Sequence, residues 1–245
     1  STDAPCSRLS VIYKEDGTVE NYRFYDHNPE LVLVDSQVIA NAPARLLVAG
    51  IADALATNVE AQAVTQSGAD TMLDAKQTLV GIAIAKKCEE TLFKYAHQAV
   101  AAVEQNVVSS ALENIIEANT LMRGLGFESG GLSGAHAIHN GLCIFEETHA
   151  LTHGEKVAYG TLTQLMLEGA DEERYNKYLR LIKSLGLPTT LADLHLADVS
   201  DEALLEAGKV ACAPTDTLHR LPFEVEPGDV AQAFRAVDAY SKQIL

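Results

Sequence analysis

The sequence predicts a mainly α fold, with a few strands at its head and an all-helical body behind them. Three observations carry that prediction. Apolar residues alternate at period two only in the first 41 residues, apolar steps of three and four dominate from Pro43 onward, and helix-start signals recur along that second stretch. The boundary falls between residues 1–41 and 42–245.

In chain order, Leu9, Val11 and Tyr13 share one face of a strand, Asp16-Gly17 supplies a turn, and Val19 to Phe24 forms the returning strand of a hairpin. After Asn28-Pro29, the run Leu31-Val32-Leu33-Val34 is continuously apolar and stops at Asp35, which predicts a short strand buried on both faces. A hairpin and one strand are too few for a sheet that is stable alone, so they read as the end of a sheet begun elsewhere. Pro43 suits a first helical turn, where a missing N–H goes unused anyway. Val80, Ile84, Cys88, Leu92 and Tyr95 then step along one core-facing stripe. Ala158, Leu162 and Leu165 form another, and Val230, Phe234 and Val237 a third. Ser200 before Asp201 and Glu202 marks a helix start, and Pro227-Gly228-Asp229 marks the last, with Asp229 as its cap. No internal repeat or low-complexity tract interrupts the helical stretch.

Composition narrows the function classes. The 245 residues carry 34 Asp plus Glu against 18 Lys plus Arg, a net charge of −16 without a basic patch, which argues against nucleic acid as a partner. With 47% hydrophobic residues the chain can bury a sizeable core. No apolar run approaches the roughly 18 residues needed to cross a bilayer. The start at Ser1-Thr2-Asp3-Ala4-Pro5 has no basic or apolar signal-peptide region and no initiator methionine. Cys6, Cys88, Cys143 and Cys212 lie far apart, as reduced thiols do, so a cytoplasmic setting is expected.

Chemistry concentrates in the middle of the chain. Gly124, Gly126, Gly130, Gly131 and Gly134 do not follow a strand, so they fit close backbone passage at a helix junction better than a dinucleotide loop. His136, His139, His149 and His153 cluster, and the first two share a helical face. Two imidazoles presented from consecutive helices suit a catalytic metal, which takes three protein ligands and keeps one open position. Ordinary capping or core histidines fit the same spacing. Asp53 is the best candidate for a third ligand, since a carboxylate in the apolar stretch Gly50 to Thr57 needs a partner. An exposed or lysine-paired aspartate is the commoner arrangement.

The strings STDAPCS, GIADALAT, GAHAIHNG and THGEKVAYG, in this order and spacing, closely resemble the glycerol dehydrogenases of the iron-containing (type III) alcohol dehydrogenase superfamily. The resemblance runs the length of the chain. It implies a dehydroquinate synthase-like helical domain over 42–245, preceded over 1–41 by remnant strands of an α/β NAD-binding domain. It further implies zinc held by Asp53, His136 and His153, which would also contact substrate. Asp3 would bind a substrate hydroxyl and act in catalysis, and Ser1, Thr2, Ser7, Leu9 and Tyr13 would contact NAD. His139 would orient a ligand or relay a proton. One departure from the iron enzymes is Thr57, which stands where they carry a further histidine ligand, so three ligands and zinc are implied. Dehydroquinate synthase itself is less similar, because its acidic ligand is a glutamate.

The implied reaction is oxidation of glycerol, or a related 1,2-diol, to dihydroxyacetone with hydride transfer to NAD⁺. The implied assembly is a homo-oligomer, such as the octamer of relatives. Family members begin with a glycine-rich pyrophosphate loop that is absent from these residues, which implies an N-terminally truncated member that keeps zinc but loses most NAD affinity and turnover. Two other readings stand beside it: a metal-dependent hydrolase using the same three residues on water, and a non-catalytic assembly module.

Overall fold

The structure, a computed structural model, describes residues 2–15 and 19–244, without the side chains of Tyr13, Val19 and Tyr22. β1 (Leu9–Tyr13) and β2 (Val19–Phe24) pair antiparallel, with Leu9 opposite Phe24 and Val11 opposite Tyr22. The expected hairpin therefore forms, while its Asp16-Gly17 turn lies outside the described residues.

The expected strand at Leu31–Val34 does not form. The run is extended chain without a strand partner, and its side chains alternate in exposure, Leu31 at 80% and Leu33 at 88%. A strand needs N–H and C=O partners on a neighbour, and the sheet among the described residues has two strands only. Asp35 instead caps a short helix, α1 (Ser36–Ala40), by accepting from the Gln37 N–H.

α2 (Ala44–Ser67) is the central helix, and Pro43 is its N-cap. It is built of Ala, Leu, Val and Ile nearly all round, and residues 47–61 are all buried. A helix without a polar face must be enclosed on every side. It is enclosed by α3 (Leu79–Glu104), α5 (Arg123–Gly130) and α7 (His153–Leu167). The core-facing stripe of α3 keeps the expected Cys88 and Leu92 but not Val80. Its buried line runs Gly81, Ala85, Cys88, Leu92, Ala96 and Ala99, while Val80 is 67% exposed. Small residues face inward because α3 lies close against α2 and α5, leaving the larger Val80 outside.

α4 (Ser110–Glu117) runs through a wide turn, Ala118–Met122, directly into α5. That turn has π geometry, an insertion that rotates the following residues relative to a regular helix. α6 (Gly134–Leu142) and α7 pack side by side, and both contact α2. Ala158, Leu162 and Leu165 of α7 are buried as expected. α8 (Glu172–Ser184), α9 (Asp201–Ala211) and α10 (Pro227–Ser241) complete the bundle. Ser200 caps α9 as expected, and Val230, Phe234 and Val237 bury the inner face of α10. The cap of α10 is Glu226 rather than Asp229. Asp229 sits one turn in and accepts the Glu226 N–H at 2.8 Å, the reciprocal half of a capping box. Among the described residues, no helix is long and apolar enough to cross a membrane.

Candidate active site

Three helices meet at one point, one of them far from the other two in sequence. Asp53 projects from the middle of α2, His136 from the first turn of α6, and His153 is the first residue of α7. Their donor atoms all lie within 4.8 Å of one another. His136 Nε2 is 3.1 Å and His153 Nε2 3.4 Å from Asp53 Oδ1.

Local sequence explains how these side chains come so close. Gly154 follows His153, and a Cβ there would collide with the Ala49 carbonyl oxygen of α2. Glycine lets the start of α7 rest on the α2 backbone one turn before Asp53. Thr152 and Glu155 close a capping box around His153, and Arg45 of α2 pairs with Glu155 at 2.7 Å, so the end of α7 is tied to α2 by its cap. Gly160 plays the same part on the other side, where a Cβ would strike the Ala135 carbonyl oxygen beside His136. The glycines of residues 124–134 likewise stand at helix junctions, Gly126 against Thr57 and Gly130 against Ala61, as expected.

The point where the three donors meet selects a cation. Glu60, fully buried about two turns beyond Asp53 on the same face of α2, accepts from His136 Nδ1 at 2.7 Å and from the Ser133 and His136 backbone N–H groups. His136 Nε2 then faces Asp53 Oδ1, and a lone pair facing a carboxylate requires a positive charge between them. Arg123 supplies one. The π turn aims its guanidinium inward, with Nη2 at 3.2 Å from Asp53 Oδ1 and 2.8 Å from His136 Nε2. A proton competes for the same lone pair. Burial disfavours the imidazolium, but Glu60 and Asp53 outweigh it and push the His136 pKa up to about 9. Burial likewise works to raise Asp53, yet the Arg123 guanidinium and the neighbouring imidazoles of His136 and His153 hold it well below the usual carboxylate range. One carboxylate and two imidazoles around a position already held by a cation are a donor set that fits a divalent metal such as zinc.

The three donors open onto a cavity of about 350 Å³. Thr2, Asp3, Leu9 and Val11 form its outer wall, and Phe127 and Leu132 its apolar side. Asp3 lies 4.0 Å from Arg123, and burial pushes its carboxyl pKa up. Of the residues expected at the site, Asp3, Asp53, His136, His153, Thr2 and Leu9 thus reach one cavity. Ser7 does not. It is buried, and its hydroxyl donates to Glu128 of α5 at 2.9 Å. Ser1 and the side chain of Tyr13 lie outside the described residues. His139 stands behind His153, its Nε2 at 3.0 Å from His153 Nδ1, and does not line the cavity. His149 is turned away toward the Cys143 carbonyl. Arg123 and Glu60 are site residues that sequence spacing leaves unmarked.

No protein-family model matches the chain. Individual proteins do. It is 47% identical to a glycerol dehydrogenase of Escherichia coli O6:H1 over all of its 245 residues, which span 67% of that relative. The chain belongs to the glycerol dehydrogenase family. A glycolaldehyde reductase of Halobacterium salinarum is 46% identical over 244 residues, again matching 67% of the relative. Among solved structures, a probable glycerol dehydrogenase from Sinorhizobium meliloti 1021 superposes with a TM-score of 0.97 at 45% identity, covering all of this chain and 69% of that one. The chain therefore spans about two thirds of the length of its relatives in the family. The family's oxidoreductase chemistry leaves no support for the hydrolase reading.

Proposed function

We propose that these residues are the metal- and substrate-binding part of a zinc-dependent glycerol dehydrogenase, which converts glycerol and NAD⁺ to dihydroxyacetone, NADH and a proton. The observation that carries this reading is the convergence of Asp53, His136 and His153 at the floor of a cavity that Asp3 also lines. Residues 42–245 form the metal domain and residues 1–41 the strand remnant of the nucleotide domain. Zinc, rather than an iron centre with a fourth protein ligand, is supported by Thr57, a buried hydroxyl in place of an imidazole, and by a donor cluster of three among the described residues.

When bound, zinc supplies the Lewis acidity that lowers the pKa of a substrate hydroxyl toward neutrality. The chain's own groups do the rest. Asp53, His136 and His153 hold the ion, Glu60 keeps the proton of His136 on Nδ1, and His139 backs His153. Asp3, at the outer wall, accepts a hydrogen bond from the neighbouring substrate hydroxyl and fixes which carbon faces the nicotinamide. Phe127 and Leu132 exclude water from that carbon. Thr2 and Leu9 reach the cofactor at the cavity mouth, while Ser7 supports them by fastening this segment to Glu128.

The test compares glycerol-dependent NADH production by the longest natural form of the protein with and without a chelator. Activity that a chelator abolishes and zinc restores is expected. Inactivity on glycerol and on other vicinal diols overturns the assignment. Because one relative is a glycolaldehyde reductase, glycolaldehyde with NADH belongs in the same assay as a second substrate.

A further inference from the structure

A chain of buried side chains runs from the back of His153 to the loop after α9. His153 Nδ1 is 3.0 Å from His139 Nε2, His139 Nδ1 is 3.0 Å from Asn140 Oδ1, and Asn140 Nδ2 is 2.7 Å from Asp216 Oδ2. His139, Asn140 and Asp216 are all buried, with Asn140 also edging the cavity. The loop is registered to α6, because the Thr217 hydroxyl donates to the Ser133 carbonyl oxygen at 2.5 Å, just ahead of the helix that carries His139 and Asn140.

The hydrogens of this chain are ordered from its Asp216 end. The Asp216 carboxylate, which also accepts the Thr217 N–H at 2.7 Å, offers acceptors alone, so the amide nitrogen of Asn140 must face it. The Asn140 carbonyl oxygen is then left toward His139 and demands a donor. His139 therefore places its proton on Nδ1, toward Asn140 Oδ1, and turns Nε2 toward His153 Nδ1. Its Nε2 lone pair accepts from His153 Nδ1–H. Cys143 Sγ lies farther from that nitrogen, at 3.6 Å. His153 is thereby left with its Nε2 lone pair pointing at Asp53 and the cation position.

We infer that Asp216, acting through Asn140 and His139, fixes the metal-binding tautomer of His153. The inference rests on Asp53, His136 and His153 being the metal site. It makes Asp216, Asn140 and His139 positioning residues for a ligand that none of the first two touches. The two histidine ligands are set by different devices: Glu60 bonds His136 directly, whereas the charge that orients His153 stands two side chains away. A free imidazole prefers its proton on Nε2, so without the relay the ligating nitrogen of His153 would be blocked. An outer partner of this kind changes metal affinity on the order of 10–100-fold.

The experiment uses the 245-residue chain labelled with ¹⁵N-histidine. Long-range ¹H–¹⁵N spectra of the metal-free protein report which nitrogen of His153 is protonated, and zinc affinity is measured by competition with a chromophoric chelator. The unaltered chain is expected to carry the proton on Nδ1. Asp216→Asn, whose amide can present either group to Asn140, should move population to the Nε2 tautomer and weaken zinc by about 10–100-fold. The double exchange Asn140→Asp with Asp216→Asn restores an obligatory acceptor beside His139 and should rescue both readouts. A purely structural role for Asp216 would lower the melting temperature without moving the tautomer, and that result overturns the inference. So does failure of the double exchange to rescue a folded protein. If the tautomer responds as expected while the unaltered chain binds no zinc, the relay stands and the metal reading falls.

Discussion

His136 Nε2 is contested by a proton, by Arg123 and by a metal ion, and the competition is measurable. With its pKa pushed up to about 9, His136 must lose a proton before it ligates, so zinc affinity should climb roughly tenfold per pH unit between neutrality and pH 9. A chelator-competition series across that range checks it, and a flat profile refutes it. Linkage fixes the sign for the metal-free chain too. A folded pKa raised from 6.5 to about 9 contributes stability that is complete below pH 6.5 and lost as pH rises through 9. Arg123 acts on the same balance. Arg123→Met leaves Asp53 buried beside one fewer cation, so the metal-free protein should lose about 3–5 kcal/mol while zinc, relieved of a competitor, binds more tightly. Melting curves with and without zinc separate the two effects. At this scale the sequence marks a residue only when its neighbours betray it. Four clustered histidines and an aspartate in an apolar helix do so; Arg123, Glu60 and Asp216 do not, because what aims them is a π turn, a buried helix face and a loop contact across the fold.

Helices place the ligands through what their glycines omit. Gly154→Ala would drive a methyl into the Ala49 carbonyl and lift the end of α7 away from α2, with His153 on it. We expect about 1–3 kcal/mol of destabilisation from the clash and a larger proportional loss of zinc binding. Gly228→Ala, which meets open space, should leave zinc binding unchanged. Chemical denaturation and the chelator assay read the pair. Helix periodicity locates the inner faces of α7 and α10 because large apolar residues line them, and catches only Cys88 and Leu92 on that of α3 because alanine and glycine line most of the rest. The Leu31–Val34 run shows the complementary limit. Its composition is that of a strand, but strand formation depends on a neighbour that composition alone does not provide.

At the scale of the whole molecule, apolar surface and nucleotide binding are the open accounts. Leu31 at 80%, Leu33 at 88% and Leu79 at 87% exposure leave large aliphatic side chains in water, and burial of each against another chain favours association. Light scattering of the 245-residue chain should therefore find a homo-oligomer, and a clean monomer would argue otherwise. NADH should bind these residues poorly, because the described strands form one hairpin and present no strand–turn–helix cradle for a pyrophosphate. A fluorescence titration reaching saturation at micromolar NADH would contradict this.

Asp53 and His136 stand 83 residues apart in the chain, with His153 farther still. A site assembled from such distant segments has consequences for rates. Closing those loops is among the last things a folding chain accomplishes, so the ion finds its ligands only once α2, α6 and α7 have docked. Zinc present during refolding should leave the forward rate constant nearly untouched. Its whole contribution should appear as slower unfolding, lengthening the lifetime of the native protein against heat and proteases.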